Sequence, residues 1–215
     1  TQAEYRKQSS AATYLNAYMN INLVKNLVFR STVGYDNGRV GTDLFYTKIT
    51  STARNYASLP VASIGTQSNS TISNTNTLQY TLNNIKKHHD FSILAGEEMV
   101  DQRSAQNGTE TRFFPADISA PKALANMGLG SAPTGSAQPL PTSFIQPPSR
   151  IFSLFSRATY AYDDKYLATV NLRADRSSKF STENGTLVFP SGSLAWRLSR
   201  EKFLDDVKWL SKLNS

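Results

Sequence analysis

The stretch Thr13-Tyr-Leu-Asn-Ala-Tyr-Met-Asn-Ile-Asn-Leu23 alternates between two kinds of side chain. Every second residue from Leu15 to Leu23 is apolar, and the residues between them are tyrosine or asparagine. A period of two residues is typical of a β-strand whose two faces meet different surroundings. In a membrane-spanning β-barrel the outward face is apolar because lipid covers it, whereas the inward face can be wet. The stretch therefore predicts a strand of such a barrel.

The same alternation recurs along the chain and predicts about seven strands, separated by connections of very unequal length. The predicted strands are 13–23, 26–36, 76–84, 90–102, 149–162, 166–175 and 188–199. The stretches 37–75 and 103–148 are predicted to be long polar connections, the first of them with short strand extensions such as 42–49. Outer-membrane barrels have short periplasmic turns and long extracellular loops. The alternation of short and long connections therefore places Lys25, Lys87 and Asp164 on the periplasmic side. The predicted fold class is an all-β, antiparallel transmembrane β-barrel segment.

The positions of the arginines agree with this face assignment. Arg30, Arg157, Arg173 and Arg197 all fall on the polar face of their predicted strands. An arginine on the lipid face at the bilayer midplane would cost about 2 to 4 kcal/mol. Aromatic residues beside the short turns predict an interfacial girdle, with ordinary strand preference for aromatics as the alternative. These residues are Phe29, Tyr162 and Tyr166.

Two segments are harder to interpret. Glu97 and Glu98 are neighbours on one predicted strand, so one of them must point outward unless a bulge intervenes or the strand has already left the bilayer. We expect the strand to have left the bilayer at this point. Near the C-terminus, residues 202–213 carry apolar side chains at roughly helical spacing, which predicts one or two helical turns.

Composition excludes several classes of protein. No apolar run approaches the roughly 20 residues of a transmembrane helix, the mean hydropathy is −0.39, and there is no cysteine for a disulfide or a thiolate metal site. The net charge of +7 comes from scattered lysines and arginines without a nucleic-acid-binding motif, so we expect no nucleic-acid partner. The same charge suits contact with outer-membrane lipid and lipopolysaccharide.

No pattern of catalytic or cofactor-binding residues is found. Glu97 and Glu98 point to opposite faces of a strand and cannot act as a catalytic pair. His88 and His89 are similarly splayed and lack further ligands for a metal. We expect no enzymatic activity, no cofactor and no metal.

The second half of the chain resembles the SusC/RagA-like, TonB-linked outer-membrane receptors. That family shows a strand ending in R-x-D-G-S-S-x-F, then F-P-S-x-x-x-x-W-R and E-x-F. The matching residues here are Arg173, Asp175, Ser177, Ser178, Phe180, Phe189, Pro190, Trp196 and Arg197, followed by Glu201 and Phe203. Arg176 stands where the family usually has glycine, which adds a positive charge at the extracellular rim.

The resemblance implies that residues 1–215 form part of a TonB-dependent receptor β-barrel, about seven strands of about 22, without the plug domain. It implies import of large nutrients such as oligosaccharides or peptides across the outer membrane of a Gram-negative bacterium, with energy from TonB and a SusD-like lipoprotein cap. The alternative is a soluble all-β carbohydrate-binding module, in which the apolar faces would meet across a core.

Four residues are candidates for contact with the substrate. Tyr18 and Asn20 lie on the polar face of the first strand, and Phe113 and Phe114 lie in the second long connection, where aromatic rings could stack on a sugar. Packing of the loop on itself is an equal alternative for the two phenylalanines. Arg173 and Asp175 are expected to pair with each other or with adjacent strands, in a structural role rather than in substrate contact.

Overall fold

The computed structural model describes residues 3–180 and 185–201 of the chain. Seven strands follow one another across a single sheet in the order β1-β2-β3-β4-β6-β7-β8, and the short β5 pairs with β4. The strands are β1 (Glu4–Val24), β2 (Leu27–Tyr46), β3 (Val61–Ile85), β4 (His89–Thr111), β5 (Thr142–Ile145), β6 (Ser149–Tyr162), β7 (Tyr166–Ser177) and β8 (Thr186–Trp196). The helices are α1 (Ser51–Arg54) and α2 (Ala120–Ala125), with single 3-10 turns at Met127–Leu129 and Leu198–Arg200. No described helix combines the length and apolar character needed to cross a membrane.

The register of the last three strands defines two faces. β6 and β7 pair antiparallel from Tyr162↔Tyr166 to Ile151↔Ser177, and β7 pairs antiparallel with β8. Residues directly opposite one another share a face of the sheet. The apolar face of these strands carries Phe152, Leu154, Tyr160, Tyr162, Tyr166, Val170, Leu172, Leu194 and Trp196, and the polar face carries Ser153, Arg157, Asn171, Arg173, Asp175 and Ser191.

The first four strands are longer than their sequence pattern predicts. β2 continues to Tyr46 and β3 begins at Val61, so the first long connection is 47–60 and not 37–75. β4 likewise continues to Thr111, past the predicted end at residue 102. These extensions are rich in Ser, Thr and Asn and lack a continuous apolar face, so the alternation that marks a half-buried strand is missing. Backbone pairing with neighbouring strands and the strand preference of threonine support these extensions, and Phe45 and Ala62 near their ends are buried.

Three short turns join β1 to β2, β3 to β4 and β6 to β7, as predicted. Each contains residues with positive φ: Asn26 in the first, Lys86 and Lys87 in the second, and Asp163 and Asp164 in the third. Left-handed backbone conformations match the twist of paired strands and close tight hairpins. The second and third turns also contact each other, because the Asp163 amide donates a hydrogen bond to the His88 carbonyl at 2.7 Å.

The chain divides into two compact units, of which the first comprises the described residues up to 15 together with 35–71 and 102–148. Its small core consists of Phe45, Ala62, Phe114 and Ala123, and the partly buried side chains around it are Tyr5, Ile118, Ala120, Leu124 and Met127. The Thr50 hydroxyl caps α1 by accepting a hydrogen bond from the Ala53 amide at 3.1 Å. The second long connection therefore packs against the ends of β2 and β3 around one small core.

The second unit comprises the described parts of residues 16–34, 72–101 and 149–215, and its apolar face is exposed. Val170 is 62% exposed and Leu194 is 87% exposed, and Met19 and Leu172 are also exposed. A carbohydrate-binding sandwich would bury this face against a second sheet. The described residues leave this face exposed, which is the arrangement predicted for a barrel segment and not for a sandwich.

Candidate functional site

A cluster of charged side chains lies at the centre of the polar face and is built around Arg173. Its Nη2 donates hydrogen bonds to Glu98 Oε2 at 2.8 Å and to the buried Ser153 Oγ at 2.9 Å, and its Nε donates to Asp175 Oδ1 at 2.7 Å. Charge-assisted bonds of this kind are about twice as strong as neutral ones. The cluster fastens β4, β6 and β7 to one another on this face.

A glycine of β4 makes room for the ring beside this cluster. A Cβ at Gly96 would lie 2.7 Å from Phe155 Cζ and 2.8 Å from the Asn76 carbonyl oxygen. Because both contacts are closer than real Cβ atoms allow, the Phe155 ring can cover β4 only if residue 96 has no side chain. The Arg173 Cζ lies 5.8 Å from the centre of this ring. The alternation pattern gave no sign of this packing, since it concerns backbone clearance between strands.

Further hydrogen bonds extend the polar face across three strands. Arg157 Nε donates to Asn171 Oδ1 at 2.8 Å, and Asn171 Nδ2 donates to Ser191 Oγ at 3.2 Å. On β3 and β4, Gln79, Thr81 and Ser92 form a similar group of amide and hydroxyl contacts. Such groups can donate to and accept from a polar ligand, such as the hydroxyls of a sugar or the amides of a peptide.

Tyr18 and Asn20 lie on the exposed surface of β1. Tyr18 is 68% exposed, and the Arg30 guanidinium carbon lies 4.9 Å from its ring centre in a cation–π contact. An exposed aromatic ring beside a cation can contact both apolar and polar parts of a ligand. Their contact with substrate remains a prediction.

The structure corrects the expectation for Phe113 and Phe114. Phe114 is fully buried in the core of the first unit, and Phe113 is nearly buried with its ring edge-on to Tyr56, 5.9 Å away between centres. Arg112 lies over the other ring of this pair, with 4.2 Å between its guanidinium carbon and the Tyr56 ring centre. Packing within the loop accounts for both phenylalanines, because a buried ring has no face left for a sugar.

The two adjacent glutamates separate as their strand geometry requires. Glu98 contacts Arg173 on the polar face, whereas Glu97 lies on the opposite face and accepts a hydrogen bond from Asn76 Nδ2 at 3.2 Å. Exposure alternates without a break from Ile93 to Met99, so no bulge is needed to place them. Glu97 therefore lies on the apolar face with an amide partner.

Aromatic rings form a row on the apolar face beside the turn between β6 and β7. Tyr162 stacks on Tyr166 at 6.3 Å between ring centres, and Tyr166 stacks on Trp196 at 6.0 Å. His89 also contacts Tyr162, and its Nδ1 lies 2.7 Å from the Tyr160 hydroxyl. The row has the arrangement expected of the girdle predicted at Tyr162 and Tyr166.

Glu201 ties this row to the turn. Its carboxylate accepts hydrogen bonds from the Tyr166 hydroxyl at 2.9 Å, the Trp196 indole at 3.1 Å and the Lys165 ammonium at 3.2 Å. These donors, the Tyr166 hydroxyl first, lower the pKa of Glu201, and Glu201 in turn raises the pKa of Lys165. Next to it, Arg197 and Arg200 pair with Asp164 in the turn. The glutamate, tryptophan and arginine of the family motif thus hold the end of β8 against the β6–β7 turn.

We expect this carboxylate to give the protein a pH-dependent stability that Glu201→Gln removes. A carboxyl group whose pKa is lowered by folding stabilises the fold above its unfolded pKa, here near its ordinary value of 4.5, and this stabilisation is lost as the pH falls through the lowered value. Urea unfolding of the full-length protein at pH 7 and near pH 3 measures this stability. The difference in unfolding free energy between wild type and Glu201→Gln should be present at neutral pH and shrink in acid; an equal difference at both pH values would contradict this assignment.

The remaining motif residues shape the end of β7 and the return into β8. Ser177 Oγ accepts a hydrogen bond from the Lys179 amide at 3.2 Å, and Ser178 Oγ accepts one from the Arg150 amide at 2.9 Å. Phe180 follows, partly exposed, at the end of this turn. In β8, Phe189 lies opposite Arg173 and Pro190 lies opposite Leu172. The predicted helical turns at 202–213 lie outside the described residues.

Comparison with known proteins agrees with this geometry. No protein-family model matches the chain. The chain is 30% identical over 206 residues to TonB-dependent receptor P3 of Formosa agariphila. This match covers 93% of the chain and 19% of that protein. It is 43% identical over 63 residues to TonB-dependent receptor SusC of Bacteroides thetaiotaomicron, covering 29% of the chain and 6% of that protein. The chain thus spans about a fifth or less of these curated relatives, both of which are named TonB-dependent receptors.

The fold is also similar to that of solved structures. The structure of the RagAB peptide transporter superposes with a TM-score of 0.78 over 95% of this chain and 21% of that chain, at 22% sequence identity. A RagAB peptide importer in an open-open state superposes with the same TM-score at 20% identity, again over 95% of this chain and 21% of that one. Together with the curated relatives, the two-faced sheet and the matched motif identify the chain as an antiparallel β-barrel segment of a SusC/RagA-like TonB-dependent receptor.

Proposed function

We propose that residues 1–215 form part of one receptor β-barrel that imports large nutrients, oligosaccharides or peptides, across the outer membrane of a Gram-negative bacterium with energy from TonB. The observation that carries this proposal is the contrast between the two faces. Val170 and its neighbours present an exposed apolar surface suited to lipid, whereas Arg173, Glu98 and Asn171 present a hydrogen-bonded polar surface suited to a wet lumen.

In this arrangement the short turns at Lys25, Lys87 and Asp164 lie in the periplasm, and the longer connections lie outside the cell. The aromatic row at Tyr162, Tyr166 and Trp196 then lies at the periplasmic interface, where amphipathic rings are enriched. A SusD-like lipoprotein would cap the extracellular side, and TonB would act through a plug region beyond this segment. Support for these two partners comes from the naming of the relatives as SusC and RagAB.

Tyr18 and Asn20 are the residues of this segment that we propose for contact with substrate. Both point from β1 to the polar face, and the Tyr18 ring is open beside Arg30. Oligosaccharides and peptides both combine apolar patches with hydrogen-bonding groups. The Tyr18 ring can contact the apolar patches, and the Asn20 amide can bind the hydrogen-bonding groups.

The test compares a strain that carries the full-length gene with a strain from which the gene has been deleted. We expect the product to fractionate with the outer membrane and to require detergent, and we expect the deletion strain to stop growing on large oligosaccharides or peptides while it still grows on the corresponding monosaccharides or amino acids. Removal of TonB should have the same effect. A freely soluble product, or growth that depends neither on the gene nor on TonB, would contradict the proposal.

A further inference from the structure

A groove opens on the apolar face where β6 begins and β7 ends, far from the short turn between them, and it borders the middle of β4. Its volume is about 580 Å³, and it is lined by Met99, Asp101, Arg150, Phe152, Arg176 and Phe180. Strand parity places Met99, Asp101, Arg150, Phe152 and Arg176 on the apolar face, because Phe152 lies opposite Arg176 and Met99 and Asp101 are two and four residues beyond Glu97. Ile151 and Ser177, a pair of the opposite parity, also border the groove. Cations on this face were not anticipated from the sequence, where four arginines were assigned to the polar face.

The groove lies about one bilayer thickness from the short turn between β6 and β7. Tyr162 pairs with Tyr166 at the turn, and Phe152 pairs with Arg176 ten residues farther along each strand. A tilted strand crosses the hydrocarbon layer in about nine to eleven residues. If the aromatic row lies at the periplasmic interface, as the proposed function requires, then Arg176 lies at the height of the lipid headgroups of the outer leaflet.

The two arginines of the groove differ in their partners. Arg150 Nε donates to Asp101 Oδ2 at 2.9 Å, which orients its guanidinium, and its backbone is tied to Ser178 by two hydrogen bonds. Arg176 is exposed and forms no ion pair with any residue in 3–180 or 185–201. With Asp101 offsetting one of the two guanidiniums, the described lining residues of the groove retain a positive charge.

The apolar lining lies next to these cations. Phe152 is two residues from Arg150 on the same face, a separation of about 7 Å along a strand, and Met99 and Phe180 are partly exposed in the same groove. An anion with an attached hydrocarbon chain complements both features. Guanidinium groups bind phosphate through paired hydrogen bonds, and basic pockets beside an apolar membrane surface bind lipid headgroups.

We propose that this groove binds one phosphorylated lipid of the outer leaflet, with Arg176 and Arg150 holding its phosphate and Met99, Phe152 and Phe180 contacting an acyl chain. The inference rests on the proposed function, because it requires the apolar face to meet lipid. The bound lipid would anchor the β6–β7 strand ends at the membrane surface.

The test is native mass spectrometry of the full-length receptor in mild detergent, titrated with lipid A that carries both phosphates and with its dephosphorylated form. We expect wild type to bind the phosphorylated lipid at least about tenfold more tightly than the dephosphorylated one, since a charge-assisted contact is lost. Arg176→Gly and Arg176→Gln should each weaken binding of the phosphorylated lipid about tenfold and leave the dephosphorylated lipid unaffected.

Lys179→Gln is the matched control, because it removes an exposed positive charge of the same turn that does not line the groove. We expect this variant to bind within about twofold of wild type. Equal weakening by Lys179→Gln and Arg176→Gln, equal binding of both lipids, or occupation of the face by a second receptor copy would overturn the inference. Such results in a receptor that still fractionates with the outer membrane and supports growth would leave the proposed function intact.

Discussion

Val170→Arg should lower the free energy of unfolding of the membrane-embedded receptor by about 2 to 4 kcal/mol, the cost of an arginine facing lipid near the midplane. Val170 lies on the apolar face of β7, is 62% exposed, and is four residues from Tyr166 and six from Arg176. An arginine there is too far from either interface to reach water easily. Urea titration of the full-length receptor in lipid vesicles measures the effect, and the amount of barrel assembled in cells should fall with it.

Thr169→Arg is the control for this prediction. It introduces the same side chain at the neighbouring residue and nearly the same depth, but on the polar face, where its partners across the strands are the small residues Thr159 and Ser193. We expect its unfolding free energy to stay within about 1 kcal/mol of wild type, because the guanidinium remains in a wet environment. Equal losses in the two variants would contradict the assignment of the faces, and a larger loss for Thr169→Arg would reverse it.

The two-faced character of the strands could be predicted because the sequence records it residue by residue. In 13–23 and 166–175, apolar and polar residues alternate with the period of two that distinguishes a strand from a helix, as expected where one face meets lipid and the other meets water. The short turns from β1 to β2, β3 to β4 and β6 to β7 could be predicted for the same reason, since each interrupts the alternation over two or three residues. The extension 42–49 was predicted, and β2 includes its residues 42–46. The other outer parts of β2, β3 and β4 were not predicted, because they lack the continuous apolar face that marks a half-buried strand.

The candidate site divides along a similar line. The pairing of Arg173 with Asp175 could be expected from their spacing on one strand face, but its link to Glu98 could not, because the two residues are 75 positions apart and their contact depends on strand register. Phe113 and Phe114 were candidates for ligand contact because their loop is polar, yet both rings are buried where the loop packs around a small core. Arg150 and Arg176 were overlooked as a pair, since they reach one groove only through the register of β6 with β7.

Gly96→Ala should destabilise the receptor by about 1 to 3 kcal/mol through overpacking between β4 and its neighbours. The added methyl group would lie 2.8 Å from the Asn76 carbonyl oxygen and 2.7 Å from Phe155 Cζ. The ring can move only by giving up its place beside Arg173, and the carbonyl belongs to the strand backbone. Urea unfolding of the full-length receptor measures the loss, and reduced assembly in the outer membrane should accompany it.

Gly192→Ala provides the comparison at another strand glycine, where a Cβ would meet only the Thr169 carbonyl oxygen at an ordinary 3.5 Å. We expect that variant to stay within about 0.5 kcal/mol of wild type. Combining Gly96→Ala with Phe155→Ala removes the close contacts with the ring and leaves the one with the Asn76 carbonyl oxygen. The loss of unfolding free energy in the double variant should therefore be smaller than the sum of the two single losses. Additive losses would show that the ring does not press on residue 96, and a neutral Gly96→Ala would refute the close packing of β3, β4 and β6 on which the polar face depends.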